Sequence, residues 1–323
     1  MTLEVGIFDQ IYLGGLSQEE TVAGHIAFVE AAERLGVARY HVTEHHGAPL
    51  TIVQPNVILA ALTQRTSRMR LGVLVNILPA HHPLALAEEI ASLDLLSGGR
   101  IDVGVGSGVV PYELANVGVD PAQSRAIFAQ RLPLLRAALE TGRLGELELI
   151  PAMTQSEISY WYASANTPTA DWAARNGINL VGWWTGGQMA EAAAAYHAAK
   201  AESGATSLGP GVGLAGWIIV GESDAEATDR FHRAWATHGE RMLRLWHANG
   251  DHNLDVFGDS QAMLDAGIGI AGSASTVRDL LADRLVGQMH SNYFEGHFFF
   301  GDLVAEEATA SLTRFMTEVA PRL

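Results

Sequence analysis

The chain has 323 residues, 48% of them hydrophobic, and carries a net charge of −16 from 20 basic and 36 acidic side chains. That acidic balance repels phosphate backbones and anionic membrane surfaces, which sets nucleic acid and lipid headgroups aside as partners. The absence of cysteine excludes disulfides, thiolate metal ligands and a cysteine nucleophile, and with Lys200 the only lysine there is almost no candidate for Schiff-base chemistry.

No apolar run approaches the roughly 20 residues of a membrane span, and Met1 to Ile7 lacks the basic and apolar blocks of a signal peptide, so a soluble, cytoplasmic protein is expected. Leu3 to Phe8 reads as a strand. Ser17 with Glu20 forms a capping box that opens a helix, in which Val22, Ile26 and Val29 recur at helical spacing until Gly36 stops it. A strand at Arg39 to Thr43 and a helix from Val53 to Gln64 follow. Leu71 to Leu78 is almost wholly apolar, as a strand covered on both faces should be. Pro83 opens a helix through Leu96, Gly98-Gly99 ends it, and Ile101 to Gly106 supplies the fourth strand.

The alternation continues with a helix from Ala122 to Glu140, a strand from Ile158 to Tyr162, a helix from Thr169 to Arg175 and a strand from Ile178 to Val181. Then come a helix from Gln188 to Glu202, a strand from Trp217 to Val220, a long helix from Ala225 to Ala248 and an eighth strand from Tyr293 to Phe298. Asp302 is placed to cap a closing helix. Eight βα units predict a single-domain (β/α)8 TIM barrel over residues 1–323, with an insertion at 250–287 that holds a short helix at Ser275 to Leu285. A doubly wound open sheet is the alternative, but Gly104-Val105-Gly106-Ser107-Gly108 lacks the third glycine of a dinucleotide fingerprint.

In a parallel barrel the active site lies at the C-terminal ends of the strands. That rule selects Asp9 and Gln10, Glu44, His45 and His46, Asn76, Ser107, Ser164 and Asn166, and Trp183, Trp184 and Thr185. A histidine there can move protons, and Glu44 beside His45 is positioned to orient its imidazole. His41 to His45 also matches the zinc-peptidase pattern H-x-x-E-H, but on a strand running into a loop rather than on a helix, so no metal is expected. His81-His82-Pro83 reads as a polar helix start, and the tryptophans read as core more readily than as a platform for a planar ligand.

Glu44-His45-His46, Leu71 to Pro79 with His81-His82-Pro83, Leu93 to Arg100, and Phe300-Gly301-Asp302-Leu303 through Pro321 together resemble the bacterial luciferase-like flavin-dependent monooxygenases and their deazaflavin-dependent relatives. The resemblance covers nearly the whole chain. It implies a proton-transfer role for His45, a non-proline cis peptide at Leu74-Val75 beside Asn76, and a flavin phosphate held by Gly106-Ser107, Arg125 and the loop Ser164-Ala165-Asn166-Thr167. It further implies reduced FMN from a separate flavin reductase, dioxygen and a small organic substrate, with a deazaflavin as the alternative cofactor. A homodimer paired through Val22 to Leu35, Val53 to Gln64 and Leu84 to Leu96 is also implied.

Two departures stand out. Ser107 occupies the place of a phosphate arginine, which weakens the expected grip on flavin and favours an accessory, non-catalytic subunit, whereas the intact Glu44-His45-His46 favours an enzyme. The segment Gly142 to Glu157 is shorter than in many relatives, which removes part of the usual substrate-pocket wall.

Overall fold

Strand β1 (Glu4–Asp9) is followed by α1 (Gln18–Arg34), whose start is held by the anticipated box: Ser17 Oγ accepts the Glu20 N–H at 3.2 Å and the Glu20 carboxylate accepts the Ser17 N–H at 3.0 Å. The computed structural model describes residues 2–11, 16–47 and 54–323. β2 (Arg39–Val42), α2 (Pro55–Thr63), β3 (Arg70–Ile77), α3 (Pro83–Ser97) and β4 (Ile101–Gly106) continue the alternation. Proline stands at the start of α2 and α3, and Gly98, left-handed at φ 70°, closes α3. Val53, the predicted start of the second helix, lies outside the described residues.

After β4 the unit is elaborated by α4 (Pro111–Asn116), α5 (Ser124–Thr141) and a hairpin of β5 (Arg143–Leu144) and β6 (Leu147–Glu148), before β7 (Ser159–Ala163) resumes the pattern. α6 (Thr167–Arg175), β8 (Ile178–Trp183), α7 (Gln188–Ser203), β9 (Val212–Gly221) and α8 (Asp224–Ala248) follow. The stretch before the last barrel strand contains α9 (Ser260–Ala266), β10 (Gly269–Ser273) and α10 (Ala274–Leu281). β11 (Tyr293–His297) and α11 (Ala305–Arg314) complete the order.

Among the described residues, β1, β2, β3, β4, β7, β8, β9 and β11 pair in parallel, and the β8–β9 pairing closes them into an eight-stranded barrel. β9 is long enough to serve two neighbours along one edge. Its first half, Val212 to Ala215, pairs with β8, and its second half, Trp217 to Gly221, pairs with β10. Helices cover the barrel, and Val5, Ile7, Tyr40, Val42, Leu71, Val73, Val103 and Val105 bury the outward faces of the strands against them.

Inside, the N-terminal end of the barrel is filled with charge. Arg39 bridges Glu4 and Asp102 (2.7 and 2.6 Å), Arg70 reaches the other Asp102 oxygen (2.6 Å), and His41 lies between Glu295 (2.6 Å) and Asp102 (3.2 Å). Three cations thus face three carboxylates. Burial alone would push His41 down, but Glu295 and Asp102 outweigh it and raise the imidazole to about 9. The Tyr293 ring lies against this plug, in space that Gly6 and Gly213 leave open, since a Cβ at either would overlap it. Leu74, Trp161, Val181 and Ala215 form the apolar layer around it.

The closing helix differs from expectation. Val304 occupies its N-cap, with its N–H donated to Glu307 at 3.3 Å, and Asp302 stands 3.4 Å from Arg233 instead.

Candidate active site

Glu44 and His45 leave β2 at the C-terminal end of the barrel, and as consecutive residues of a chain emerging from a strand they point to different sides. Glu44 is buried. One of its oxygens accepts the Ile77 N–H at the end of β3 (2.7 Å), and the other accepts from His46 Nε2 and His81 Nε2 (2.7 Å each). Burial would raise this carboxyl, yet the hydrogen bonds of His46 and His81 with the nearby charge hold it down at about 2. His46 is raised in return by the same bond. Glu44 therefore fastens the loop after β2 to the loop after β3. The latter is also gripped by Arg131 of α5, which donates to the carbonyls of Leu78, Pro79 and His81.

The expected contact between Glu44 and His45 is absent, and Glu113 of α4 makes it instead. His45 Nδ1 donates to both Glu113 oxygens, at 2.9 and 3.1 Å, from a side chain 21% exposed against a buried carboxylate. A carboxylate only accepts, so Nδ1 carries the hydrogen and the neutral ring keeps its lone pair on Nε2. Such an imidazole can take a proton at Nε2 and return it. Glu113 lay within reach of the strand-end rule, since Pro111-Tyr112-Glu113 opens a helix just after the fourth strand. The helix has only six residues, too few to show a period. Its neighbour Tyr112 donates to Asp251 at 2.9 Å and meets the Trp246 ring edge-on, so the end of α8 rests on the helix that holds His45.

The Leu74–Val75 peptide is cis, at the place anticipated, and the β3–β4 register shifts between Val73 and Asn76. Leu74 is buried, and Val75 lies over Gly106, where a Cβ would overlap its side chain. Asn76 is buried and donates through Nδ2 to the Gly104 carbonyl at 2.8 Å, while its Oδ1 has no partner among the described residues.

Ser107 follows β4 and is half-buried. Arg125 sits in the first turn of α5, exposed, without a hydrogen-bond or ion-pair partner among the described residues. Ser164 Oγ accepts the Asn166 N–H at 3.0 Å, Asn166 Oδ1 caps α6 through the Thr169 N–H at 3.2 Å, and Thr167 is the first helical residue. Strand ends and helix starts place all of these on the same face of the barrel as His45.

Other expected candidates lie elsewhere. Asp9 points outward and accepts from His25 Nδ1, the Tyr40 hydroxyl and the Ile11 N–H, between the barrel and α1. His41, the first residue of the H-x-x-E-H match, belongs to the buried plug, so its three polar side chains have three separate sets of partners. Trp184 packs under Arg284, whereas Trp183 stands half-buried at the mouth, 4.9 Å from Trp217, which in turn stacks on His297 at 4.3 Å.

An eight-stranded parallel barrel that gathers histidines, carboxylates and a helix N-terminus at the C-terminal ends of its strands has the build of a barrel enzyme. Residues 3–289 match the family model for luciferase-like monooxygenases, and the chain belongs to that family of oxidoreductases. It is 30% identical to the protein y4wF of Sinorhizobium fredii, with 99% of this chain and 97% of the other covered. It is also 28% identical to limonene 1,2-monooxygenase of Rhodococcus erythropolis over 77% of this chain and 67% of the other. Among solved structures, the oxygenating constituent of 3,6-diketocamphane monooxygenase from Pseudomonas putida, in complex with FMN, superposes with a TM-score of 0.81. Its identity is 18%, with 100% and 99% of the two chains covered. No helix among the described residues is long and apolar enough to cross a membrane.

Proposed function

We propose that the protein is the oxygenase of a two-protein system, taking reduced FMN from a separate flavin reductase and using it with dioxygen to oxygenate a small organic molecule in the cytoplasm. The observation that carries this reading is the His45–Glu113 pair at the barrel mouth, an imidazole whose Nδ1 is held by a carboxylate and whose Nε2 has no partner among the described residues. The residues present fit FMN. Arg125, the Ser107 and Ser164 hydroxyls and the start of α6, all on the strand-end side of the barrel, would supply donors to a phosphate, and the buried Asn76 Oδ1 suits an N–H of the ring system. When bound, reduced FMN supplies the electrons that activate dioxygen.

The chain's own contribution is positioning and proton transfer. Asn76 and the Leu74–Val75 segment would lie against the ring, Trp183 and Trp217 would exclude water from one side, and His45 Nε2 would pass a proton to or from the substrate oxygen. Anaerobic titration with reduced FMN, oxidised FMN and a deazaflavin tests the cofactor. Reduced FMN is expected to bind most tightly; tighter binding of the deazaflavin would replace oxygenation by hydride transfer as the reading.

A further inference from the structure

Away from the barrel mouth pair, the last turn of α8 carries His247, the connecting turn carries His252, and Asp255 opens the next turn. We propose that His247, His252 and Asp255 form a binding site for a transition-metal dication of the zinc class. His247 Nε2 lies 2.7 Å from Asp255 Oδ1, His252 Nδ1 lies 3.2 Å from Asp255 Oδ2, and one donor atom from each residue falls within 4.8 Å of the others. The two imidazoles stack at 4.8 Å with 29° between their planes, so both present a nitrogen to the same carboxylate. Among the described residues no other three histidine or carboxylate side chains bring one donor atom each within 4.8 Å of one another.

A tetrahedral zinc ion with bonds of about 2.0–2.1 Å needs its donors about 3.3 Å apart. The two imidazole–carboxylate spacings, 2.7 and 3.2 Å to the two Asp255 oxygens, lie on the short side of that value, and the whole set lies within 4.8 Å, a span that rotation of exposed side chains closes. Two imidazole nitrogens and one carboxylate oxygen suit zinc, nickel or copper and are a poor set for magnesium or calcium, which take oxygen donors. The backbone holds the donors in place without the ion: Gly250 N–H bonds to the His247 carbonyl, Asp251 N–H to Trp246 and Asp255 N–H to His252. All three side chains are exposed, so water completes the coordination and the ion needs no opening to enter. On binding, each imidazole exchanges the hydrogen it now points at Asp255 for a lone pair on the metal, and the released tautomeric hydrogen sits on the other ring nitrogen. Asp251 is committed to Tyr112 and takes no part. The ion would clip the end of α8 to the Asp255–Gly258 turn, just where α8 rests on α4.

Untagged protein stripped with a chelator and titrated calorimetrically with zinc chloride is expected to bind one ion per chain, with magnesium unable to compete. His247→Ala/His252→Ala should weaken this at least tenfold with an unchanged far-ultraviolet spectrum, and Asp255→Asn should weaken it less. If the double variant loses structure, the single substitution His252→Ala, in the turn, serves the same purpose. Zinc should also slow amide exchange across residues 246–258. The proposal is overturned by absence of stoichiometric binding, by undiminished binding in the variants, or by zinc binding that leaves exchange in that segment unaltered.

Discussion

At the residue scale, the carboxylate that fixes His45 comes from 68 positions away, while the adjacent one ties two loops together. General acid–base assistance is typically worth about 10²–10⁴-fold, so His45→Ala should lower kcat by that order and leave the affinity for reduced FMN nearly unchanged. Glu113→Gln removes a charge-assisted bond of about 1.5–3 kcal/mol and should lower kcat at least tenfold with little change in KM. A purely structural Glu113 would instead lower thermal stability and leave kcat intact, which separates the two roles. Arg125→Ala should weaken FMN more than tenfold, by the same magnitude, and leave riboflavin unaffected; equal losses for both ligands in a fluorescence titration would remove Arg125 from the phosphate. Asn76 was legible as a strand-end residue because Leu71 to Leu78 is an almost wholly apolar run, and Glu44 and His45 because the alternation around them requires a strand at Arg39 to Thr43 although Arg39 and His41 interrupt its apolar pattern. Their partners were not, because pairing across 68 or 37 positions depends on how loops from neighbouring strands meet.

At the scale of elements, β3 and β4 come close where the register shifts, and Gly104 is the reason they can. A Cβ there would overlap the Val73 carbonyl and stand 3.1 Å from Leu74 Cα, both backbone atoms with no freedom to give way. Gly104→Ala is therefore expected to cost about 1–3 kcal/mol, read as a lower denaturation midpoint, and a neutral result would mean that the two strands separate freely. The βα alternation was readable from apolar runs and helix signals. β10 was not: Gly269 and Gly272 dilute its five residues, and they are glycine because Phe231 and Thr276 crowd their positions. Nor was the N-cap of α11, because an aspartate near a helix start is only a candidate until the turn decides which residue faces the free N–H groups.

For the whole molecule, α2 and α3 expose Val57 (70%), Leu95 (59%) and Leu96 (51%) on the barrel exterior. Such apolar residues are what an expected homodimer through these helices would cover. Sedimentation should show a dimer, and Val57→Glu/Leu95→Glu should yield folded monomers; a wild-type monomer at micromolar concentration would contradict this. Stability against pH should peak near 6.5. Burial lowers His238 to about 3, so the unfolded chain binds the extra proton as pH falls below 6.5, and stability declines. His41 is raised to about 9, so its contribution is complete below 6.5 and disappears as pH rises through 9. Thermal midpoints measured from pH 5 to 9 check this, and a steady rise to pH 9 would refute it; His41→Asn should flatten the alkaline side.

The plug of Glu4, Arg39, His41, Arg70, Asp102 and Glu295 also gives the barrel a floor, so a ligand bound at the strand ends would come and go from that side. Two ligands sharing that end would then be expected to bind in sequence, the deeper one first, and to leave in the reverse order; random-order binding in steady-state kinetics would contradict it.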